Sequence, residues 1–268
     1  ADKGRREPTE RLRLEVTRCR DELGALHPNI VVALGNEPLR WLTGKRSITD
    51  WRGSVLEMED SPGTASSDVN CLRRQKVLAT FHPAGILRQW KWRPISVFDL
   101  TKAKAEAAFP ELRRRPRCLT VVRHVDDGLS TLHRLRESGT PVAFDIEVER
   151  HQVSSLALAA SPEQGYIFPI WWGTEGSRWA IEDEDLLWRE IAELFKIAPM
   201  VGQNVHYDLT FLKEYDVYAH HLHMDTMLAF HILYPELPKG LEFMASLYTD
   251  LPYWKGMRTT EDPEEFWR

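Results

Sequence analysis

The stretch PVAFDIEVE, residues 141–149, places Asp145 and Glu147 two positions apart behind an apolar run of Val142, Ala143 and Phe144. Side chains of a strand alternate between its faces, so both carboxylates project from the same side. Like charges held that close repel, and burial raises the cost of each. A divalent cation relieves both costs. Mg²⁺ and Mn²⁺ take hard oxygen ligands, and a pair of such ions can activate a water and stabilise a leaving oxygen. The competing reading is a solvated strand end with two exposed acids.

The elements that must position these acids follow in order. Residues 153–160 (VSSLALAA) and 165–170 (GYIFPI) read as two further strands. A helix over 183–197 carries Leu186, Leu187, Ile191, Leu194 and Phe195 at helical spacing, and Pro199 ends it. Residues 200–202 read as a short buried strand. Residues 203–212 (QNVHYDLTFL) then put Asn204 and Asp208 four apart, within reach of one helix face. Before Asp145, a strand at 118–122 and a helix at 126–138 complete an alternating α/β pattern.

FDIEVE, then NVHYDLTFL, then Asp225-Thr226-Met227-Leu228-Ala229, Leu233-Tyr234-Pro235 and residues 241–247 occur in one order. In that order they resemble the motifs of DEDD-type 3′–5′ exonucleases, the proofreading domain of family A DNA polymerases above all. The resemblance covers roughly residues 117–268. It implies a ribonuclease-H-like fold, with strands at 118–122, 141–148, 153–160, 165–170 and 200–202. It implies two divalent ions, Mg²⁺ or Mn²⁺, held by Asp145, Glu147 and Asp208 as catalytic and metal-binding residues. By the same matching, Asp145 and Glu147 hold the ion carrying the attacking water, Asp145 bridges to the second ion, and Asp208 completes the coordination of that second ion. Asn204 is placed toward substrate or a carboxylate, and Phe211 either at the substrate or in the core. Asp225 reads as the N-cap of the DTMLA helix.

The family has a fourth Asp, preceded by a Tyr at four positions or a His at five. His220 and Asp225 have the second spacing, but Asp225 already opens a helix. None of the seven tyrosines has an Asp four residues on. The expectation is that this motif lies past Arg268, in a longer polymerase-like protein whose polymerase domain follows.

Residues 1–117 are a different module. They hold 23 Lys and Arg against 15 Asp and Glu, which leaves 12 against 25 for the rest, so the halves are near +8 and −13. A basic module beside an acidic one fits nucleic-acid contact through the first and metal chemistry in the second. The alternative is two solvated surfaces of different sign. An amphipathic helix over 9–26 leads to a strand at 29–35 (NIVVALG), a helix at 37–42, a strand at 76–80 (KVLAT) and a helix at 95–109.

Here Pro28 to Gly35, Trp51-Arg52-Gly53, His82-Pro83 with Ile86-Leu87-Arg88, and Asp99-Leu100 resemble the uracil-DNA glycosylase superfamily, its thermophilic iron–sulfur branch most of all, over about residues 5–108. In that family the loop holding His-Pro enters the minor groove and its His stabilises the departing uracil anion. His82 takes that place here, and His82 and Arg88 are expected to contact DNA. The family's first motif has no counterpart in the sequence. Only Cys19 matches a cluster cysteine, and an iron–sulfur cluster needs about four. The domain therefore reads as the C-terminal part of such a fold with no complete iron–sulfur site, and uracil excision is not expected of it.

The expected architecture is thus α/β throughout: a partial glycosylase-like domain over 1–109, a linker over 110–117 (PELRRRPR) and an exonuclease-like domain over 118–268. The linker arginines are a solvated connector or a phosphate contact. The expected function is removal of nucleotides from DNA 3′ ends, single-stranded or at a primer–template. The alternatives are a ribonuclease-D-like RNA exonuclease and a non-catalytic DNA-binding or scaffolding fragment. Cys19, Cys71 and Cys118 form no CxxC pair, which favours a reducing compartment. No apolar run approaches the roughly 20 residues of a membrane span, and no secretion signal opens the sequence. A cytoplasmic location in a bacterial or phage-infected cell is the corresponding expectation.

Overall fold

A computed structural model describes residues 10–59, 75–172 and 176–254. A loop is expected from the sequence over Glu57 to Asn70; its part from residue 60 on, Cys71 and the sequence from residue 255 onward lie outside the described residues. The described residues divide into two compact units, one of 10–114 with 242–254 and one of 115–241.

The first unit starts with helix α1 (Glu10–Leu26), then β1 (Ile30–Leu34), α2 (Asn36–Thr43), α3 (Ile48–Trp51), β2 (Val55–Glu57) and β3 (Lys76–Thr80). Helix α4 (Pro83–Arg88), a 3-10 turn (Trp90–Trp92) and α5 (Arg93–Glu106) follow. The sheet has the order β1-β3-β2, with β1 and β3 parallel and β2 antiparallel to β3. Every residue of β3 is buried, as a central strand covered on both faces requires. On one face Val77 and Ala79 pack with Leu39 and Leu42 of α2. On the other, Leu78 packs with Val55 and with Ala103 of α5. Even Lys76 is fully buried. Its ammonium donates to the Glu106 carbonyl at 2.6 Å and carboxylate at 2.9 Å, and lies 3.8 Å from the Phe109 ring centre.

The second unit begins with β4 (Cys118–Val121) and α6 (Val125–Glu137). Strands β5 (Val142–Glu149), β6 (Gln152–Ala159) and β7 (Gln164–Pro169) come next, then a ribbon of β8 (Trp171–Trp172) and β9 (Gly176–Ser177). Helix α7 (Ile181–Ile197), β10 (Met200–Gly202), α8 (Val205–Leu212), β11 (Leu222–Asp225) and α9 (Thr226–Leu233) complete it. Its sheet order is β11-β10-β5-β6-β7-β4. Strands β5, β10 and β11 run parallel, β6 runs against β5 and β7, and β4 is parallel to β7. A hairpin-connected β5-β6-β7 with parallel strands added beyond β5 is the ribonuclease-H-like arrangement, here with β4 as an extra edge. Val142, Phe144 and Ile146 face the core, where Phe144 meets Phe195 of α7 edge-on at 5.0 Å. Helix α7 has Glu182, Asp183 and Glu184 in its first turn and Lys196 in its last, as the helix dipole favours.

The exonuclease-like domain expected over 118–268 differs at its far end. Helix α10 (Leu241–Tyr248) and residues 249–254 do not stay with the exonuclease-like unit. From Glu242 they belong to the first unit. Two cations hold them there, a buried arginine and a partly buried lysine. Arg52, 2% exposed, donates to the Ser246 hydroxyl at 2.8 Å and pairs with Asp99, 1% exposed, through Nε at 3.0 Å and through its second nitrogen. Lys102 donates to the carbonyls of Gly53, Ser246 and Thr249, closing the C-terminal end of α10. Burial lowers the Lys102 ammonium to about 8; Asp99 opposes that shift and Arg52 adds to it. Gly53 (φ +73°) could not carry a side chain here, because a Cβ would lie 2.9 Å from both Asp99 and the Ser246 carbonyl oxygen.

Candidate active site

Asp145 and Glu147 sit where the alternation put them. Ala143, Asp145 and Glu147 share the exposed face of β5, opposite Val142, Phe144 and Ile146. Strand β10 pairs with β5 only at Val142 and Ala143. Past that point the edge of β5 has no strand beside it, and the buried Ile146 N–H needs another acceptor. Asp208 supplies it. Its Oδ1 accepts from Ile146 at 3.1 Å, and the residue is 5% exposed. Helix α8 reaches this close because Gly202 precedes it: a Cβ there would meet Val205 at 2.5 Å and Phe144 at 3.2 Å.

Asp208 is held above the usual carboxylate range. Burial is the main cause, the Ile146 N–H opposes it, and the charges of Glu147 and Asp225 push it further up. The third acid is therefore in the field of the second. Among the described residues, however, no three His, Cys, Asp or Glu form a group that could hold a metal ion. Asp208 is 5% exposed with Oδ1 accepting from the Ile146 N–H, while Asp145 and Glu147 stand on the exposed face of β5. The donor chemistry still fits Mg²⁺ or Mn²⁺, which bind through one or two carboxylates with water and substrate phosphate completing the shell.

The pH dependence has a definite sign. The folded protein keeps the Asp208 proton to higher pH than the unfolded chain, whose value is near 3.8. Stability from this group is complete below that value and is lost as pH rises through the raised folded value. Asp208→Asn keeps an oxygen for the Ile146 N–H and removes the charge. Its melting temperature should exceed that of the parent at pH 7, with the gain vanishing near pH 4. Mn²⁺ should stabilise the parent more than the variant. A thermal melt series over pH, with and without Mn²⁺, measures both.

Asp225 is a cap twice over. Its Oδ1 accepts from Met227 at 2.9 Å and Leu228 at 3.3 Å, capping α9, and from Asn204 at 3.1 Å; its Oδ2 accepts from Val205 at 3.0 Å. One carboxylate thus closes the N-termini of α8 and α9, where the dipoles favour negative charge. Asp225→Ala should cost about 1–3 kcal/mol, since one cap is typically worth ~1; Asp225→Asn should recover part of it. The urea midpoint reads this out.

Asn204 takes the left-handed conformation at the start of α8 (φ 56°, ψ 44°), which Asn tolerates better than most residues, and its side chain makes no capping bond. Phe211 is half-buried against the core and lies 5.1 Å from the ring of Tyr207. Tyr207, half-exposed beside Asp208, was not singled out from the sequence; its spacing of four from Phe211 was the available signal. A cavity of about 430 Å³ opens on the same sheet face, lined by Ala143, Asp145, Ala157, Gly202, Gln203 and Thr226 among others. It is mostly apolar because the strands present alanine and glycine there.

In the first unit His82 is exposed and caps α4, its Nδ1 accepting from the Ala84 N–H at 3.1 Å. Arg88 donates from Nε to the Ala84 carbonyl within the same helix. In the linker, Arg113 is bonded to Glu111 and lies 3.9 Å from the Phe109 ring centre, and Arg115 lies 3.5 Å from Glu163. Those two arginines are already paired with acids. Among the described residues no helix is long and apolar enough to cross a membrane.

Residues 4–113 match the family described as the uracil DNA glycosylase superfamily. No curated protein matches the chain. Among solved structures, the EXO domain of Aedes aegypti Nibbler is similar at 14% identity and a TM-score of 0.41, covering 53% of this chain and 73% of that one. The catalytic core of RRP6 from Trypanosoma brucei is similar at 18% identity and a TM-score of 0.43, covering 56% of this chain and 41% of that one. The EXD2 exonuclease domain, soaked in Mg and GMP, is similar at 18% identity and a TM-score of 0.32, covering 55% of this chain and 75% of that one.

Proposed function

We propose that the second unit is a metal-dependent 3′–5′ exonuclease module acting on DNA, in a proofreading context next to a polymerase. One observation carries the reading. Asp145 and Glu147 stand on one open sheet face, Asp145 lines a nucleoside-sized cavity, and the buried Asp208 behind them is disfavoured as an anion partly by Glu147. A divalent ion would be held by Asp145, Glu147 and Asp208. When bound it supplies an activated water and charge neutralisation at the scissile phosphate.

The residues have separable tasks. The apolar floor of Ala143, Ala157 and Gly202 receives the 3′-terminal sugar and base and keeps bulk water off them. Tyr207 and Phe211 offer ring faces next to Asp208 for the adjoining base. The hydrogen bond from the Ile146 N–H holds the Asp208 carboxylate in place, and Asp208 would contribute negative charge to a bound ion. The choice of DNA and of a polymerase context draws support from the order of the sequence motifs and from the glycosylase-like match of the first unit.

The test is release of mononucleotides in Mn²⁺ from matched DNA and RNA strands labelled at the 3′ or the 5′ end. Loss of the 3′ label with stepwise shortening of the 5′-labelled strand supports the reading, and faster RNA cleavage moves it to an RNA exonuclease. A second reading, a non-catalytic nucleic-acid-binding fragment, is favoured by the lack of a three-ligand group among the described residues. Binding without metal-dependent cleavage would establish it.

A further inference from the structure

The last turn of α4 and the 3-10 turn after it expose residues that a fold ordinarily buries. Trp90 is 64% exposed and Leu87 is 78% exposed. Isolated exposed apolar residues need no explanation, but Leu87 at the end of α4 and Trp90 in the turn after it lie three residues apart among cations. Arg88, Lys91 and Arg93 are exposed, and no Asp or Glu occurs anywhere from 76 to 98.

The turn is firmly built. His82 caps α4, and the backbone N–H of Gln89 and of Trp92 reach the carbonyls of Gly85 and Gln89. Trp92 stacks on Phe81 at 4.3 Å with 12° between the ring planes, and Gly85 leaves room for it: a Cβ there would lie 3.3 Å from the Trp92 ring. Pro94 then sits at the start of α5. Trp92 is thus the anchor, and Trp90 is held out on a fixed backbone. The Arg93 guanidinium lies 5.4 Å from the Trp90 ring centre, which steadies the indole and leaves most of the ring open.

We propose that Trp90 is a stacking platform for an unpaired base of single-stranded nucleic acid, with Arg88, Lys91 and Arg93 contacting the flanking phosphates. An exposed indole among cations matches an alternation of flat bases and anionic phosphates, and stacking is tolerant of sequence. An acidic peptide could satisfy the cations, but it offers no flat group for the indole. These residues belong to the first unit and the acidic face to the second, so failure of this proposal would leave the exonuclease reading untouched.

The experiment measures fluorescence anisotropy of a labelled oligothymidylate with the full chain in EDTA, so that no step depends on a metal. Trp90→Ala should weaken binding about 5- to 100-fold, the range of one base–aromatic stack. Trp90→Phe should retain most of the affinity. On an abasic strand of the same length, the parent and Trp90→Ala should bind alike. Lys91→Glu should weaken both strands and flatten the salt dependence. Unchanged affinity of Trp90→Ala for oligothymidylate would overturn the proposal. So would an equal loss on the abasic strand, or competition by polyglutamate as effective as that by unlabelled oligothymidylate.

Discussion

Asp145→Asn is expected to reduce release of 3′-terminal nucleotides by at least about 10²- to 10³-fold, the usual effect of removing one preorganised electrostatic partner of a transition state. Asp145 and Glu147 lie on the open face of β5, Asp145 borders the cavity, and Asp145 faces Ala157 across the sheet. Asn at this position retains the size and the strand geometry, so the melting temperature should hardly move. The effect should fall on kcat and on the Mn²⁺ dependence, while affinity for a strand in EDTA stays as it was. Glu147→Gln should lose activity similarly, and should also relax Asp208, because one source of its upward shift is gone. The pH at which the protein loses stability should then fall toward the ordinary carboxylate range. An Asp145→Asn chain that still trims 3′ ends at the parent rate would remove this face as the site of cleavage.

The second large effect is structural. Arg52→Met should destabilise the first unit by about 3–5 kcal/mol, the cost of leaving one partner of a buried ion pair unpaired. Asp99 is 1% exposed, and among the described residues the Thr80 hydroxyl at 2.7 Å would still donate to it, with the Lys102 charge as its remaining electrostatic partner. That loss is a large part of the 5–15 kcal/mol that a domain typically has. The damage should spread to a specific place. Ser246 loses its donor, so the amides of α10 and of the chain to Tyr253 should lose hydrogen-exchange protection before those of β5 and β6 do. Tyr253, whose N–H reaches the Ser54 hydroxyl at 3.2 Å and whose ring meets Trp51 edge-on at 5.5 Å, reports the far end of that segment. The double variant Arg52→Met/Asp99→Leu should recover much of the stability, since it leaves no charge stranded. If Arg52→Met melts like the parent and keeps the α10 amides protected, the clamp is not what holds α10.

The local rules carried a long way. Alternation in VAFDIEVE was enough to place Asp145 and Glu147 on one face, because a period of two leaves no choice once Phe144 and Ile146 are buried. The apolar run of β3 and the helical spacing of Leu187, Ile191 and Leu194 fixed those elements for the same reason. Asp225 before Thr226-Met227-Leu228 announced a cap, because the acceptor and the amides it serves are two and three residues apart. Strand β11 was missed: with Leu222, His223 and Met224 all exposed, an edge strand shows no alternation between a buried and a solvated face.

Tertiary structure decided what depends on distant partners. Asp208 meets Ile146 across 62 positions, and nothing in NVHYDLTFL says that its carboxylate will serve a backbone amide and stand buried near Glu147. The second set of amides on Asp225 comes from α8, twenty positions back. Residues 242–254 looked like a continuation of the exonuclease-like unit, yet Arg52 and Ser246, 194 positions apart, hold them to the other one. Periodicity reports only which way a side chain faces. Which surface it faces, and which buried charge is waiting there, is set by chain packing, and no local pattern encodes that.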